Sequence, residues 1–108
     1  MGTALDYSCP ECGYQVHSMI SGYDVGMASH AVGISCATCK ELHWASLPGE
    51  PWDADMDAMR LKVESGELPA GARCPKSAKH RVEVWSHPGP CPRCGTTLSQ
   101  GEGVMCWD

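Results

Sequence analysis

Apolar and polar residues alternate over short stretches, and glycines, prolines and paired cysteines separate these stretches. Tyr14-Gln-Val16-His-Ser-Met19 has the two-residue period of a half-buried strand, and Ile20 breaks it. Ala31-Val32-Gly33-Ile34-Ser35 predicts a returning strand, and Leu42-His43-Trp44-Ala45 predicts the strand that follows. Asp6-Tyr7-Ser8 reads as a strand leading into the first cysteine, and Ser21 to Gly26 as turn. Further on, Val82-Glu-Val84-Trp85 alternates and Val104-Met105-Cys106-Trp107 predicts a closing strand. One segment has a helical period instead: Met56, Met59 and Val63 fall at i, i+3 and i+7. Asp53 is the expected N-cap, Asp55 and Asp57 suit the first turn, and Gly66 can close the end. These signals predict a helix over about 53–65, resting with Trp52 on a neighbouring β module.

Two breaks divide the chain. Leu47-Pro48-Gly49-Glu50-Pro51 ends a first module over 1–47, and Leu68-Pro69-Ala70-Gly71 ends a linker with its helix over 48–72. A second module then occupies 73–108. Each module carries cysteines at metal-ligand spacing: Cys9-Pro-Glu-Cys12-Gly13 and Cys36-Ala-Thr-Cys39 in the first, Cys91-Pro-Arg-Cys94-Gly95 in the second. A Cys-x2-Cys turn aims two thiolates at one centre, and two turns complete a tetrahedral shell. Taken in chain order, Cys9, Cys12, Cys36 and Cys39 form a first site. Cys74, Cys91 and Cys94 belong to a second, where Ser77 stands at the place of a fourth sulfur. His80, Cys106 and His87 are the candidates for that fourth ligand, with His80 preferred because it is near Cys74 in sequence. The expected fold is small, metal-stabilised and mostly β: two zinc-ribbon modules with rubredoxin-like knuckles, joined by one short α-helix. The expected cofactor is two Zn2+ ions, with iron the rival metal for an all-sulfur shell.

Composition sharpens this picture. The 108 residues include no phenylalanine, four tryptophans and three tyrosines, against twelve glycines and eight prolines. Such a chain buries only a thin core and needs staples, which its eight cysteines can supply. Met1 to Tyr7 has neither a basic start nor an apolar run, so no secretory leader is expected, and no stretch is long enough to span a bilayer. A cytoplasmic location follows, where thiols stay reduced and bind metal, with a disulfide framework as the alternative. The net charge of −5 disfavours binding to a phosphate backbone. No nucleophile triad, phosphate loop or nucleotide fingerprint is present, so no enzymatic activity is expected. His17, His30 and His43 are not spaced as a group and read as strand or surface residues.

Tyr7-Ser-Cys-Pro-Glu-Cys-Gly-Tyr14, Gly22-Tyr-Asp-Val-Gly-Met27 and Cys36-Ala-Thr-Cys39 resemble small, mostly uncharacterised bacterial tandem zinc-ribbon proteins, in which a second ribbon ends near a Trp-Asp like Trp107-Asp108. In such proteins the second ribbon has two full knuckles, so Ser77 is a departure that the resemblance resolves through a nearby substitute such as His80. His87 to Leu98 is locally similar to the heavy-metal-binding modules of efflux systems. Three functions are in view. The first is a non-enzymatic adaptor whose partner is another protein. The second is a nucleic-acid-binding ribbon, with Arg73, Lys76, Lys79, His80, Arg81 and Arg93 as its basic patch and Trp85 stacking on a base. The third is a metal-handling or thiol-redox protein.

Overall fold

A computed structural model describes residues 2–26, 29–49, 52 and 55–107. Five strands precede the helix: β1 (Gly2–Ser8), β2 (Gln15–Met19), β3 (Tyr23–Val25), β4 (His30–Cys36) and β5 (Glu41–Ser46). The helix α1 (Met56–Glu64) is followed by β6 (Val82–Val84) and β7 (Ser99–Trp107). The fold is thus small and mostly β with one helix among the described residues.

The strands form two antiparallel sheets, and both draw on the two ends of the chain. In the first, the order is β2-β1-β7, so the opening strand lies between its hairpin partner and the closing strand. In the second, β3, β4 and β5 follow one another, and β6 joins the flank of β4 beyond β3. The expected boundary between 1–47 and 73–108 is therefore crossed twice by backbone ladders. The two parts interleave rather than follow one another.

Close backbone approach fixes the crossing in the second sheet. Gly33, in the middle of β4, lies between the residue that pairs with the start of β3 and the one that pairs with the end of β6. Its N–H donates to Gly22 O at 2.9 Å, and its carbonyl accepts from Trp85 N at 2.8 Å. Gly22 N in turn donates to Trp85 O at 3.0 Å, tying β3 end to end with β6. In the first sheet β1 bulges between Leu5 and Tyr7, which turns Asp6 towards β7. A Cβ at Gly103 would meet the Asp6 carboxylate, which would have to swing aside. The start of β7 is polar and glycine-bearing, which hid its length from an alternation pattern that marked only 104–107.

The helix is shorter than expected. Asp55 is its N-cap, accepting from Ala58 N at 3.1 Å; Asp53, the expected cap, lies outside the described residues. At the other end Gly66 adopts φ +90, with Gly66 N bonded to Val63 O and Glu67 N to Lys62 O. This paired bonding is the Schellman closure that glycine favours. Met59 and Val63 pack against a core of Tyr23, Val32, Ile34, Ala45 and Leu47, so the helix does lie on the second sheet. Met56 and Trp52 are exposed and take no part in that packing. No helix among the described residues is long and apolar enough to cross a membrane.

Candidate metal centres

The knuckles are built alike. Cys9 O accepts from Gly13 N at 3.1 Å and Cys9 N donates to Tyr14 O at 2.8 Å. Cys91 repeats this with Gly95 N at 3.0 Å and Thr96 O at 2.7 Å. Cys36 O accepts from Lys40 N at 2.8 Å. Backbone N–H groups also point at the sulfurs: Cys12 N to Cys9 Sγ at 3.4 Å, Cys39 N to Cys36 Sγ at 3.3 Å and Arg93 N to Cys91 Sγ at 3.4 Å. Such donors favour the thiolate. The residue after each second cysteine has positive φ: Gly13 at +80, Gly95 at +82, but Lys40 at 56. A side chain in that region costs about 1 kcal/mol. Lys40→Gly should accordingly raise stability by roughly 0.5–1 kcal/mol, while Gly13→Ala should lower it by about 1 kcal/mol. Denaturant titration of the two variants checks both signs.

The knuckles pair across the chain. Cys9, Cys12, Cys91 and Cys94 bring their sulfurs within 4.8 Å of one another, and so do the ligand atoms of Cys36, Cys39, Cys74 and His80. The grouping expected from chain order is corrected here: the first knuckle meets the third, and the second meets Cys74 and His80. The β1–β7 ladder causes this, because Ser8 pairs with Ser99 and so carries Cys9 to the Cys91 knuckle. The short β6 does the same for Cys36, which pairs with Val82 just after His80. Cys106 is exposed on β7 and lies in neither group. His87 lies beside the Tyr7 ring, with centroids 5.3 Å apart, and is likewise outside them. Ser77 serves as a turn residue, its Oγ accepting from Lys79 N and its carbonyl from His80 N.

The spacings suit a tetrahedral ion. Zn–S bonds of about 2.3 Å place two sulfurs about 3.8 Å apart, and a sulfur and an imidazole nitrogen about 3.6 Å apart. Cys9 and Cys94 sulfurs are 3.4 Å apart, Cys12 and Cys91 3.6 Å, and Cys39 and Cys74 3.8 Å. His80 Nδ1 is 3.7 Å from Cys36 Sγ and 3.4 Å from Cys39 Sγ. A covalent S–S bond needs about 2.05 Å, and all eight cysteines are free thiols.

Electrostatics also ask for a cation. Hydrogen bonds from the Thr96 backbone and hydroxyl draw the Cys94 thiol down to about 6. Burial alone would raise Cys74, but bonds from the Lys76 backbone and His80 bring it to about 6. Their neighbours cannot follow: burial and the adjoining Cys36 and Cys74 sulfurs push Cys39 up to about 11. One thiolate forms readily in each cluster, at Cys94 and at Cys74, whereas Cys39 ionises only if a positive charge arrives beside it.

The surroundings tie the two clusters together. Tyr14 Oη accepts from Leu42 N at 2.8 Å. Arg93, from the third knuckle, lies 4.7 Å above the Tyr14 ring and donates through Nε to Lys40 O at 3.2 Å. Cys9 and Cys91 belong to a buried core with Tyr7, Met19, Trp85 and Leu98. The other histidines have separate fates. His30 is buried between Tyr23 Oη at 2.8 Å and Pro48 O at 3.1 Å. His17 is exposed beside Asp6 at 3.6 Å. Burial holds His43 below the ordinary imidazole range. With Cys39 and Glu41 it forms a third group of close ligand atoms, which the sequence reading missed. The signal was present in Cys39-Lys-Glu41-Leu-His43, whose alternate residues share one strand face.

No family model, curated protein or solved structure matches this chain. The likeness to tandem zinc ribbons rests on the residues quoted above, and two clusters able to bind metal are what the geometry itself provides.

Proposed function

We propose that this protein is a non-enzymatic, zinc-binding adaptor of the reducing cytoplasm. Two structural zinc ions lock its small β framework, and the framework offers a groove to a partner protein. The observation that carries this reading is the pair of four-ligand groups at tetrahedral spacing. Four protein ligands leave no open position for water or substrate, which is the mark of a structural ion. The Cys3His composition of the second group favours zinc, since a rubredoxin-type iron takes four sulfurs.

The groove supports the adaptor role. A cavity of about 900 Å³ opens between β2 and β5, walled by Val16, Met19, Leu42 and Leu47, with Trp44 and Arg73 beside it. An apolar trough with an aromatic and a guanidinium at its side suits an extended peptide. The nucleic-acid reading loses its main supports. Trp85 is buried, with its indole N–H donating to Pro90 O at 3.0 Å, so it cannot stack on a base. Lys76 is bonded to Glu41 at 2.9 Å, and Arg93 is held by Tyr14 and Lys40.

Elemental analysis combined with native mass spectrometry should find two zinc ions per chain. Peptides selected from a displayed library should bind the native protein and lose most of their affinity for Trp44→Ala and Arg73→Glu. Iron in place of zinc sinks the metal assignment. Selected peptides that bind both variants undiminished sink the groove.

A further inference from the structure

Beside the Cys36–His80 group, a third constellation has features of a separate ion site. Cys39, Glu41 and His43 each offer a ligand atom, all within 4.8 Å of one another. The backbone arranges this: Cys36 pairs with Glu41 and Ile34 with His43, so both side chains lie on one face of β5 above the knuckle. All three residues are half-buried. A second observation is independent of these distances. His43 Nε2 is wholly enclosed and has no hydrogen-bond partner. An enclosed imidazole nitrogen without a partner is uncommon, and a bound ion is one of the few explanations for it.

We propose that the chain holds a third, exchangeable divalent ion at Cys39, Glu41 and His43, with the Cys39 sulfur shared between it and the ion of the Cys36–His80 group. A thiolate has lone pairs enough to bridge two ions. Sulfur, carboxylate and imidazole together suit a borderline cation such as Zn2+ or Cd2+ rather than Mg2+ or Ca2+. Three protein ligands leave a position for water, in contrast to the two closed groups. His43 also lines the groove between β2 and β5, which gives the site access to solvent. Lys76 makes the site weak. Its ammonium donates to Glu41 Oε1 at 2.9 Å and must move aside or share the carboxylate when the ion arrives. No bond is made or broken other than coordination: the ion sheds waters as it gains the three ligands. This inference rests on the two-zinc reading, because Cys39 bridges only when its own group is filled.

The test starts from the two-zinc protein, titrated with zinc against a chromophoric chelator and followed by native mass spectrometry. A third equivalent should bind, more weakly than the first two. Glu41→Gln and His43→Ala should each weaken it by about tenfold or more, and Lys76→Met should tighten it by about tenfold by removing a neighbouring positive charge. His17→Ala should leave it unchanged. If His43→Ala does not fold, Glu41→Gln and Lys76→Met decide alone. Loading with 113Cd should give a coupling between two cadmium signals through the shared sulfur. The proposal is overturned if the chain stops at two ions in millimolar zinc, or if the third ion ignores Glu41→Gln and Lys76→Met. It is likewise overturned if the third ion is lost in His17→Ala. A protein that carries fewer than two ions before titration overturns the two-zinc reading as well.

Discussion

Metal-stripped protein should lose its cooperative unfolding transition altogether. Cys36 and Cys74, both fully buried, belong to one candidate ligand group, and Cys9 and Cys91, from the other group, sit inside the core of Tyr7, Met19, Trp85 and Leu98. One of the two cores is thus built directly around a cysteine cluster, while the other, under the helix, is purely of apolar and tyrosine side chains. Structural zinc in small peptides supplies about 10–16 kcal/mol. The net stability of a whole domain is about 5–15 kcal/mol. Loss of even one ion should therefore cost several kcal/mol. Cys12→Ser isolates the coordination term, because Cys12 is exposed and belongs to neither apolar core. We expect this variant to carry one zinc less and to melt far below the native protein. Cys106→Ser, outside both clusters, should stay within about 0.5 kcal/mol. Acid should act in the same direction as a chelator. The Cys74 and Cys94 thiols are depressed from 9.0 to about 6, so the stability tied to them is complete above their ordinary value and declines as pH falls through about 6. A bound cation moves that decline lower still. Thermal melts monitored by near-ultraviolet circular dichroism, with and without chelator, check the prediction. A chelated protein that still melts cooperatively would refute it.

Gly33→Ala should be the most damaging substitution away from the metal ligands. A Cβ at this position would lie on top of Ile20 O and 2.9 Å from Trp85 O. Both obstacles are backbone, so no flexible side chain can swing away. The same carbonyl-rich junction holds β3, β4 and β6 together through Gly22, Gly33 and Trp85. Relief requires the strands to part and those hydrogen bonds to lengthen, at roughly 3–5 kcal/mol. Gly66→Ala provides the comparison. It also changes a glycine, at φ +90, but its Cβ meets nothing within 4 Å. Only the backbone term is lost there, about 1 kcal/mol. Urea unfolding of both zinc-loaded variants gives the two numbers. A Gly33→Ala protein within 1 kcal/mol of the native chain would mean that the junction is looser than its distances indicate.

What could be read from the residues was local. Cys-x2-Cys with a following glycine marks a knuckle because the turn needs both sulfurs and a positive φ within five residues. The helix showed its closure at Gly66 for the same reason. The grouping of knuckles was not legible, because it depends on which strands pair over long distances. Nothing in Cys9-Pro-Glu-Cys12 says that its partner is Cys91 rather than Cys36; the β1–β7 ladder decides that, and half of β7 is too polar to look like a strand. Trp85 shows a related limit. Its place at the end of an alternating run left open whether it faced solvent, and the fold places it inside, edge-on to the Tyr7 ring at 5.0 Å. The two-residue period of Cys39, Glu41 and His43 was readable but went unread, because Glu41 and His43 gain meaning only beside a sulfur already committed elsewhere.

The interleaving of early and late segments bears on biosynthesis. As the chain leaves the ribosome, the Cys9–Cys12 knuckle emerges with half of its four-sulfur group and waits for the distant Cys91 and Cys94. An ion caught early is held by two sulfurs only and readily lost. If the group takes up an ion, maturation is a late event, completed after Cys91 and Cys94 are free of the exit tunnel, and a product released early by premature termination cannot be rescued by its own first half.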